Sequence, residues 1–153
     1  MRTVIWMAGL VILALATFSP GQAQTGASLA ERQLFASVNR TRQSQGLPTF
    51  KWDDALAVAA RRHAGMMAQR GAAEHVFPGE PTIPSRATKA GARFIALSEN
   101  IAMGSDVGLI EAEFLKSPNH RANILNTDMD SVGVGIVERS GRFFAVEDFS
   151  KAK

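Results

Sequence analysis

The sequence predicts an α+β domain in which helices dominate and a small antiparallel sheet forms mostly from the C-terminal segment. Apolar residues recur at helical spacing in the N-terminal half, whereas residues 131–138 and 142–149 alternate between the two faces of a strand. Ser140-Gly141 lies between these two segments and is typical of a two-residue hairpin turn. Strands and helices do not alternate along the chain, so we do not expect a sheet built from repeated βαβ units.

The first helix is predicted at residues 28–44. Ser28 and Glu31 form a capping box, in which the side chain of each accepts a hydrogen bond from the backbone N–H of the other. Gly46 and Pro48 follow the helix and are typical of its C-terminal end. The apolar face that would pack on the core begins with Leu34, Phe35 and Val38.

The second helix is predicted to begin after Asp53 or Asp54 and to end at Gly71. Its apolar stripe advances by three and four residues, and its many alanines would allow another element to pack closely against it. The stripe consists of Leu56, Ala60, His63, Ala64 and Met67. Because His63 lies on this stripe, we interpret it as a core or half-buried histidine with one satisfied ring nitrogen.

Shorter elements follow the second helix. A proline-containing loop comes first, and we expect one turn of helix within it, around Ser85–Ala90. Residues 94–97 are predicted as a short strand. Asp106 is expected to cap a helix at residues 107–116. Ser117-Pro118 is a further helix-start signal, in which proline takes the first helical position.

The first residues have the pattern of a secretory signal peptide. One basic residue precedes an uncharged, mostly apolar run over residues 4–18, and a Gly-x-Ala ending follows. The run is about 15 residues long, short of the roughly 20 that a membrane-spanning helix requires. We therefore predict a signal peptide at residues 1–23, cleavage after Ala23 and a single domain at residues 24–153 without a permanent membrane anchor. The expected destination is the periplasm or the extracellular medium.

Composition excludes several classes of function. The chain has no cysteine, which rules out disulfides, cysteine nucleophiles and Cys-ligated zinc. A domain of about 130 residues can still fold on its hydrophobic core alone. Lys and Arg number 17 against 14 Asp and Glu and are scattered, so no nucleic-acid partner is expected. No oligomeric state follows from the sequence.

Four segments together carry a family resemblance over residues 40–149, nearly the whole predicted domain. In chain order they are Asn39–Asp53, Glu99–Gly104, Ser117–Leu125 and Val132–Gly135. The segment SPNHRANIL, at residues 117–125, is the most specific of them. On these motifs the chain resembles the CAP superfamily, also called SCP, of cysteine-rich secretory proteins, antigen 5 and pathogenesis-related 1 proteins. The match is to its bacterial, cysteine-free type.

The resemblance implies a three-layer αβα sandwich with a small central antiparallel sheet and a cleft on one side. It also implies that His75 and His120 are the histidines that face this cleft and that Glu99 is the cleft glutamate. Two imidazoles and one carboxylate could bind a divalent metal such as Zn²⁺. They could instead perform acid–base chemistry without a metal. In a purely structural alternative, Glu99 hydrogen-bonds backbone and His120 stabilises the start of its own helix.

Some positions depart from the family pattern. Phe114 stands where a tryptophan is usual, and Ser117 stands where some eukaryotic members carry a second cleft glutamate. Glu111 and Glu113 are out of register with that position, so a four-ligand metal site would be one ligand short. Ser98 replaces the glycine that usually precedes the cleft glutamate.

Three hypotheses for function follow from these residues. The leading one is an exported binding module that holds a small-molecule, lipid, peptide or cell-wall ligand in the cleft of His75, Glu99 and His120. The second is a hydrolase that uses the same cleft, with Glu99 or a metal-bound water as the base. The third is a structural or signalling domain whose cleft is inert. The sequence favours binding over catalysis, and no catalytic residue is assigned.

Overall fold

The computed structural model describes residues 26–153, so the predicted signal peptide lies outside the described residues. Within them, no helix is both long and apolar enough to cross a bilayer. The elements in chain order are α1 (Leu29–Ser44), β1 (Lys51–Trp52), α2 (Asp54–Arg70), α3 (Ile83–Lys89), β2 (Phe94–Gly104), α4 (Val107–Lys116), α5 (Pro118–Ile124), β3 (Ser131–Arg139) and β4 (Arg142–Ala152).

The strands form one sheet in the order β1-β3-β4-β2. β3 pairs antiparallel with β4, and β2 pairs antiparallel with the other edge of β4. Ser140 and Gly141 form the predicted hairpin turn, with φ values of 53° and 71°, as a type I′ turn requires. The α+β prediction is confirmed, with one addition: the two residues of β1 pair parallel with β3.

Helices cover both faces of the sheet, which confirms the three-layer αβα arrangement. α2 packs along β3 and β4 on one face, whereas α1, α4 and α5 pack on the other. Alternate strand residues therefore face different layers. Val132, Val134 and Phe149 join the core beneath α1, α4 and α5. Phe144 and Val146 join the core beneath α2.

β3 lies unusually close to α2 because glycine occupies the strand positions that face this helix. A Cβ atom at Gly133 would lie 2.2 Å from the backbone nitrogen of Ala57. At Gly135 it would lie 2.1 Å from the backbone nitrogen of Arg61. Neither contact is possible unless a backbone moves. The alanine-rich helix therefore does pack closely against another element, as its sequence predicts.

Most predicted helix ends are confirmed, because neighbouring side chains set them. Ser28 and Glu31 make both hydrogen bonds of the capping box. The Asp53 carboxylate caps α2, and Gly71 ends it in the left-handed conformation, with φ of 66°. Asp106 accepts hydrogen bonds from two backbone N–H groups at the start of α4. The expected helical turn in the proline-containing loop is α3.

β2 is longer than predicted. The sequence predicts a short strand at residues 94–97, whereas the strand continues to Gly104. β4 supplies the reason, because residues 97–104 pair in continuous register with residues 143–150 of that strand. Glu99 consequently lies inside a strand rather than in a loop that follows one.

Candidate functional site

Glu99 is the centre of the candidate site. Its side chain is fully buried, at 0% exposure, on the face of β2 that turns toward α2 and α3. Oε1 of this carboxylate accepts a hydrogen bond from Nδ1 of His75 at 2.8 Å, and Oε2 is paired with the guanidinium of Arg86. The carboxylate binds these two side chains and no backbone N–H within residues 26–153, so the backbone hydrogen bond that the structural alternative expects of Glu99 is not formed there.

His75 lies in the loop after α2, and its side chain is 52% exposed. The hydrogen bond to Glu99 raises the pKa of the His75 ring, against the opposing effects of partial burial and of the nearby Arg86 charge. Because Nδ1 is the nitrogen bound to the carboxylate, the hydrogen bond orients the ring and leaves Nε2 as its other polar atom. Nε2 finds no hydrogen-bond partner within residues 26–153.

Arg86 connects α3 to this pair. The side chain is buried, and its guanidinium donates to the backbone oxygen of His75 at 2.9 Å as well as to Glu99. It also lies 3.6 Å from a carboxylate oxygen of Glu80. Arg86 therefore positions both members of the His75–Glu99 pair, and a buried guanidinium needs carboxylate partners of this kind.

His63 continues the buried network. Nδ1 lies 2.7 Å from Oε1 of Glu80, and Nε2 lies 2.9 Å from the backbone oxygen of Glu74. A carbonyl oxygen can only accept, so Nε2 carries a proton. The core histidine is confirmed, but the expectation of one satisfied nitrogen is wrong, because the loop after α2 folds back and supplies both partners.

Asp148 completes the network from β4. It stands opposite Glu99 in the β2–β4 register and is buried. Burial and the neighbouring Glu99 carboxylate raise the pKa of Asp148 well above its usual range, which favours the neutral, protonated acid. The site therefore places a carboxyl group that favours its neutral form directly beside Glu99.

His120 approaches from the opposite helical layer, on α5. α5 follows Ser117, whose side chain makes no capping hydrogen bond, and Pro118 takes the first helical position. The His120 ring packs edge-on against Phe114 with centroids 5.1 Å apart. Partial burial, and then the positive charge on His75, lower the pKa of His120. The two histidines are thus electrostatic neighbours, although His120 makes no side-chain hydrogen bond to Glu99 or His75 within residues 26–153.

Two asparagines hold α5 against β2. Asn123 donates to the side-chain oxygen of Asn100 at 2.8 Å, and Asn100 donates to the backbone oxygen of His120 at 3.1 Å. Asn100 also donates to the fully buried Glu147 at 3.1 Å. This asparagine pair places His120 at the edge of the sheet that carries Glu99.

The residues as placed do not present a three-ligand metal set. Both oxygens of Glu99 already bind nitrogen groups, and one partner is the cation Arg86. No group of three or more His, Asp or Glu side chains in the described part of the chain could hold a metal ion. This placement does not support metal binding by His75, His120 and Glu99, which stays a prediction from the sequence.

A concave surface borders the network on the side of α2 and α3. It has a volume of about 360 Å³, and Arg86 and Glu80 form part of its wall. His75 and His120 are not among its lining residues. This pocket is therefore separate from the half-exposed ring of His75.

Sequence reasoning found the two histidines and Glu99 but missed Arg86, Glu80 and Asp148. Arg86 falls on a seven-residue helix with no apolar periodicity long enough to orient it. One signal was available for Asp148, because the acidic pair Glu147-Asp148 interrupts the apolar residues Val146 and Phe149 of a predicted strand.

Fold and site together define an αβα domain that holds a histidine–glutamate pair on an edge strand. The model of the CAP family, the cysteine-rich secretory protein family, matches residues 35–149, and the chain belongs to this family. The absence of cysteine agrees with the bacterial, cysteine-free type.

Several known proteins are similar to this chain. The uncharacterized protein YkwD of Bacillus subtilis is 30% identical over 118 residues, which are 76% of this chain and 46% of YkwD. An extracellular, SCP-domain protein of Bacillus anthracis superposes with a TM-score of 0.74 at 28% identity, over 80% of this chain and 40% of that one. An outer surface protein of Borrelia burgdorferi superposes with a TM-score of 0.75 at 23% identity, over 81% of this chain and 93% of that one. The chain thus spans less than half the length of the two Bacillus proteins.

Proposed function

We propose that this protein is an exported CAP-domain binding module, in which His75 and His120 contact a polar group of a lipid, peptide or cell-wall ligand. One observation carries the proposal: Glu99 holds His75 by Nδ1 and leaves Nε2 on a half-exposed ring. A buried carboxylate that fixes an exposed imidazole creates a pre-oriented polar contact.

The two histidines would offer different chemistry to a ligand. The raised pKa of His75 favours a protonated ring, which donates from both nitrogens. The lowered pKa of His120 favours a neutral ring, which has one donor and one acceptor. A ligand group that both accepts and donates hydrogen bonds, such as a hydroxyl beside a carboxylate or phosphate, matches this pair.

The export part of the proposal rests on the signal-peptide pattern of residues 1–23. The similar Bacillus anthracis protein is described as extracellular, which agrees with it. Mass spectrometry of the mature chain tests this directly, since cleavage after Ala23 gives a chain that begins at Gln24. A chain that still carries residues 1–23 would contradict export by a cleavable signal.

A hydrolase that uses acid–base chemistry is the second candidate. A carboxylate bound to Nδ1 of a half-exposed histidine also orients that ring for proton transfer, and a protonated His75 would serve as the acid. Such an enzyme would turn over peptidoglycan fragments or lipid esters and lose that activity in His75→Ala. Binding of the same compounds without product formation would favour the module over the enzyme.

A thermal-shift panel with peptidoglycan fragments and phospholipid vesicles tests the binding function. We expect at least one probe to raise Tm in the wild type, and His75→Ala and His120→Ala to abolish this increase. Lys116→Ala, an exposed position on α4, is the control and should respond as the wild type does. The proposal fails if no probe raises Tm, or if both histidine variants still respond fully.

A further inference from the structure

A second concave surface lies at the hairpin end of the sheet. It has a volume of about 390 Å³ and is formed where the β3–β4 turn meets the last turn of α2. Polar side chains dominate it, and its lining includes Gln69, Arg70, Arg139, Ser140, Arg142 and Phe144. Three arginine residues therefore line one pocket.

Two of these arginines are direct neighbours across the hairpin. Arg139 and Arg142 are the last pair of the β3–β4 register, on either side of the two-residue turn. Directly opposite side chains share a face and have Cβ atoms about 5 Å apart, and like charges at such positions destabilise a hairpin. The tight turn, with Ser140 and Gly141 both at positive φ, keeps the two strand ends in register.

Contacts with other described residues satisfy only part of the hydrogen-bonding capacity and charge of these three arginines. One guanidinium nitrogen of Arg139 donates to the backbone oxygen of Ala68 at 2.9 Å, which satisfies a carbonyl at the end of α2. Arg70 lies in the last helical turn, and its guanidinium carbon is 5.3 Å from the centroid of the Phe77 ring. Arg142 has no side-chain hydrogen bond within residues 26–153. None of the three forms an ion pair with a carboxylate in that range.

We propose that this arginine pocket, formed by Arg70, Arg139 and Arg142, binds a phosphate group. Guanidinium groups present planar pairs of N–H donors that match phosphate oxygens, and several of them can bind one phosphate at once. A bound phosphate would also offset the repulsion between Arg139 and Arg142, and it would do so more fully than a single carboxylate. The Gln69 amide and the Ser140 hydroxyl on the same wall can supply neutral hydrogen bonds.

This site is separate from the proposed function of His75 and His120. Those histidines do not line the arginine pocket. A phosphate-bearing ligand could therefore bind here whether or not the histidine site is occupied.

The test is a titration of the purified protein with inorganic phosphate, followed by NMR or calorimetry at low salt. A parallel arm measures binding to vesicles with and without phosphatidylglycerol. Arg142→Gln and Arg139→Gln should raise the Kd at least about tenfold, as expected for loss of one charge-assisted hydrogen bond. Arg93→Gln, at an exposed arginine outside the pocket, is the matched control and should leave the Kd unchanged.

The outcomes distinguish a free phosphate from a lipid headgroup as the ligand. They also distinguish the arginine pocket from the proposed histidine site. Binding of inorganic phosphate supports a site for a free phosphate, whereas binding of phosphatidylglycerol vesicles alone supports a lipid headgroup. The inference is overturned if neither binds, or if Arg93→Gln weakens binding as much as Arg142→Gln does. His75→Ala should retain the phosphate affinity, so failure of the histidine site would not affect this result.

Discussion

At the scale of single residues, the site depends on how one carboxylate is shared. Glu99 binds an exposed histidine through one oxygen and a buried arginine through the other. The arginine pairs with the carboxylate, and the hydrogen bond from the carboxylate raises the pKa of the histidine. The half-exposed ring of His75 therefore owes its orientation and its raised pKa to a buried carboxylate.

Replacement of Glu99 by Gln should reverse the shift on His75. Glu99 raises the pKa of His75 above its ordinary value of 6.5, so the protonated ring stabilises the fold below pH 6.5. This stabilisation is lost as the pH rises through the raised value. In Glu99→Gln, we expect an NMR titration of the His75 ring to move to lower pH. An unchanged His75 titration would contradict the hydrogen bond to Glu99.

Glu147 should make the stability of the protein depend on pH. Burial, and then the charge of Glu111, raise the pKa of Glu147 well above its ordinary value of 4.5. Because the folded state binds this proton more tightly, the free energy of unfolding should fall as the pH rises above 4.5 through the raised value. Glu147→Gln, which stays neutral, should lose less stability over that range. Urea denaturation of both proteins across a pH series measures this, and equal slopes would contradict it.

At the scale of secondary-structure elements, α3 is held to the sheet by one ion-paired side chain. The helix has only seven residues, too few to be stable by itself. Arg86 reaches from it to Glu99 on β2 and to the backbone of the His75 loop. The position of that loop, and so of His75, depends on this contact.

Arg86→Gln should therefore destabilise the protein strongly. Loss of the guanidinium leaves the buried Glu99 carboxylate without its cationic partner, which costs about 3–5 kcal/mol. Lys89→Gln, an exposed position on the same helix, should change the free energy of unfolding by less than about 0.5 kcal/mol. Chemical denaturation measures both variants, and similar values for the two would refute this role of Arg86.

Glycine-to-alanine substitutions on β3 and on α2 should have opposite effects on stability. Gly135→Ala places a methyl group against the backbone of α2 and should cost about 3 kcal/mol or more. Gly65→Ala, within α2, meets no atom within 4 Å and should stabilise the helix by about 0.5–1 kcal/mol. Thermal unfolding of the two variants should therefore shift Tm in opposite directions. Equal shifts would contradict the close approach of β3 and α2.

Helix ends and strands differ in how far the sequence predicts them, because different distances along the chain decide them. The caps at Ser28, Asp53 and Asp106 depend on neighbours two or three residues away, so local chemistry sets them. The length of β2 depends on β4, whose residues paired with 97–104 lie 39 to 53 positions away in sequence, so the sequence predicts too short a strand. The partners of Glu99 depend in the same way on how α3 and β4 dock, and no periodicity in the chain encodes that docking.

At the scale of the whole molecule, the sandwich brings together histidines from opposite layers. His75 follows α2 on one face of the sheet, and His120 lies on α5 on the other. They become neighbours at β2 because this strand is an edge of the sheet, so side chains from both layers can reach around it. The candidate site therefore exists only in the assembled fold, and any loss of packing between layers should separate the pair.

The most direct test of the account is an NMR titration of the histidine rings with the probe that raises Tm most. We predict that the ring resonances of both His75 and His120 shift with saturation, and that the shifts elsewhere are lost in the His75→Ala/His120→Ala double variant. The buried His63 ring, held by hydrogen bonds at both nitrogens, should stay unmoved and serves as the internal reference. Saturable binding that leaves the His75 and His120 resonances unchanged would contradict the central claim.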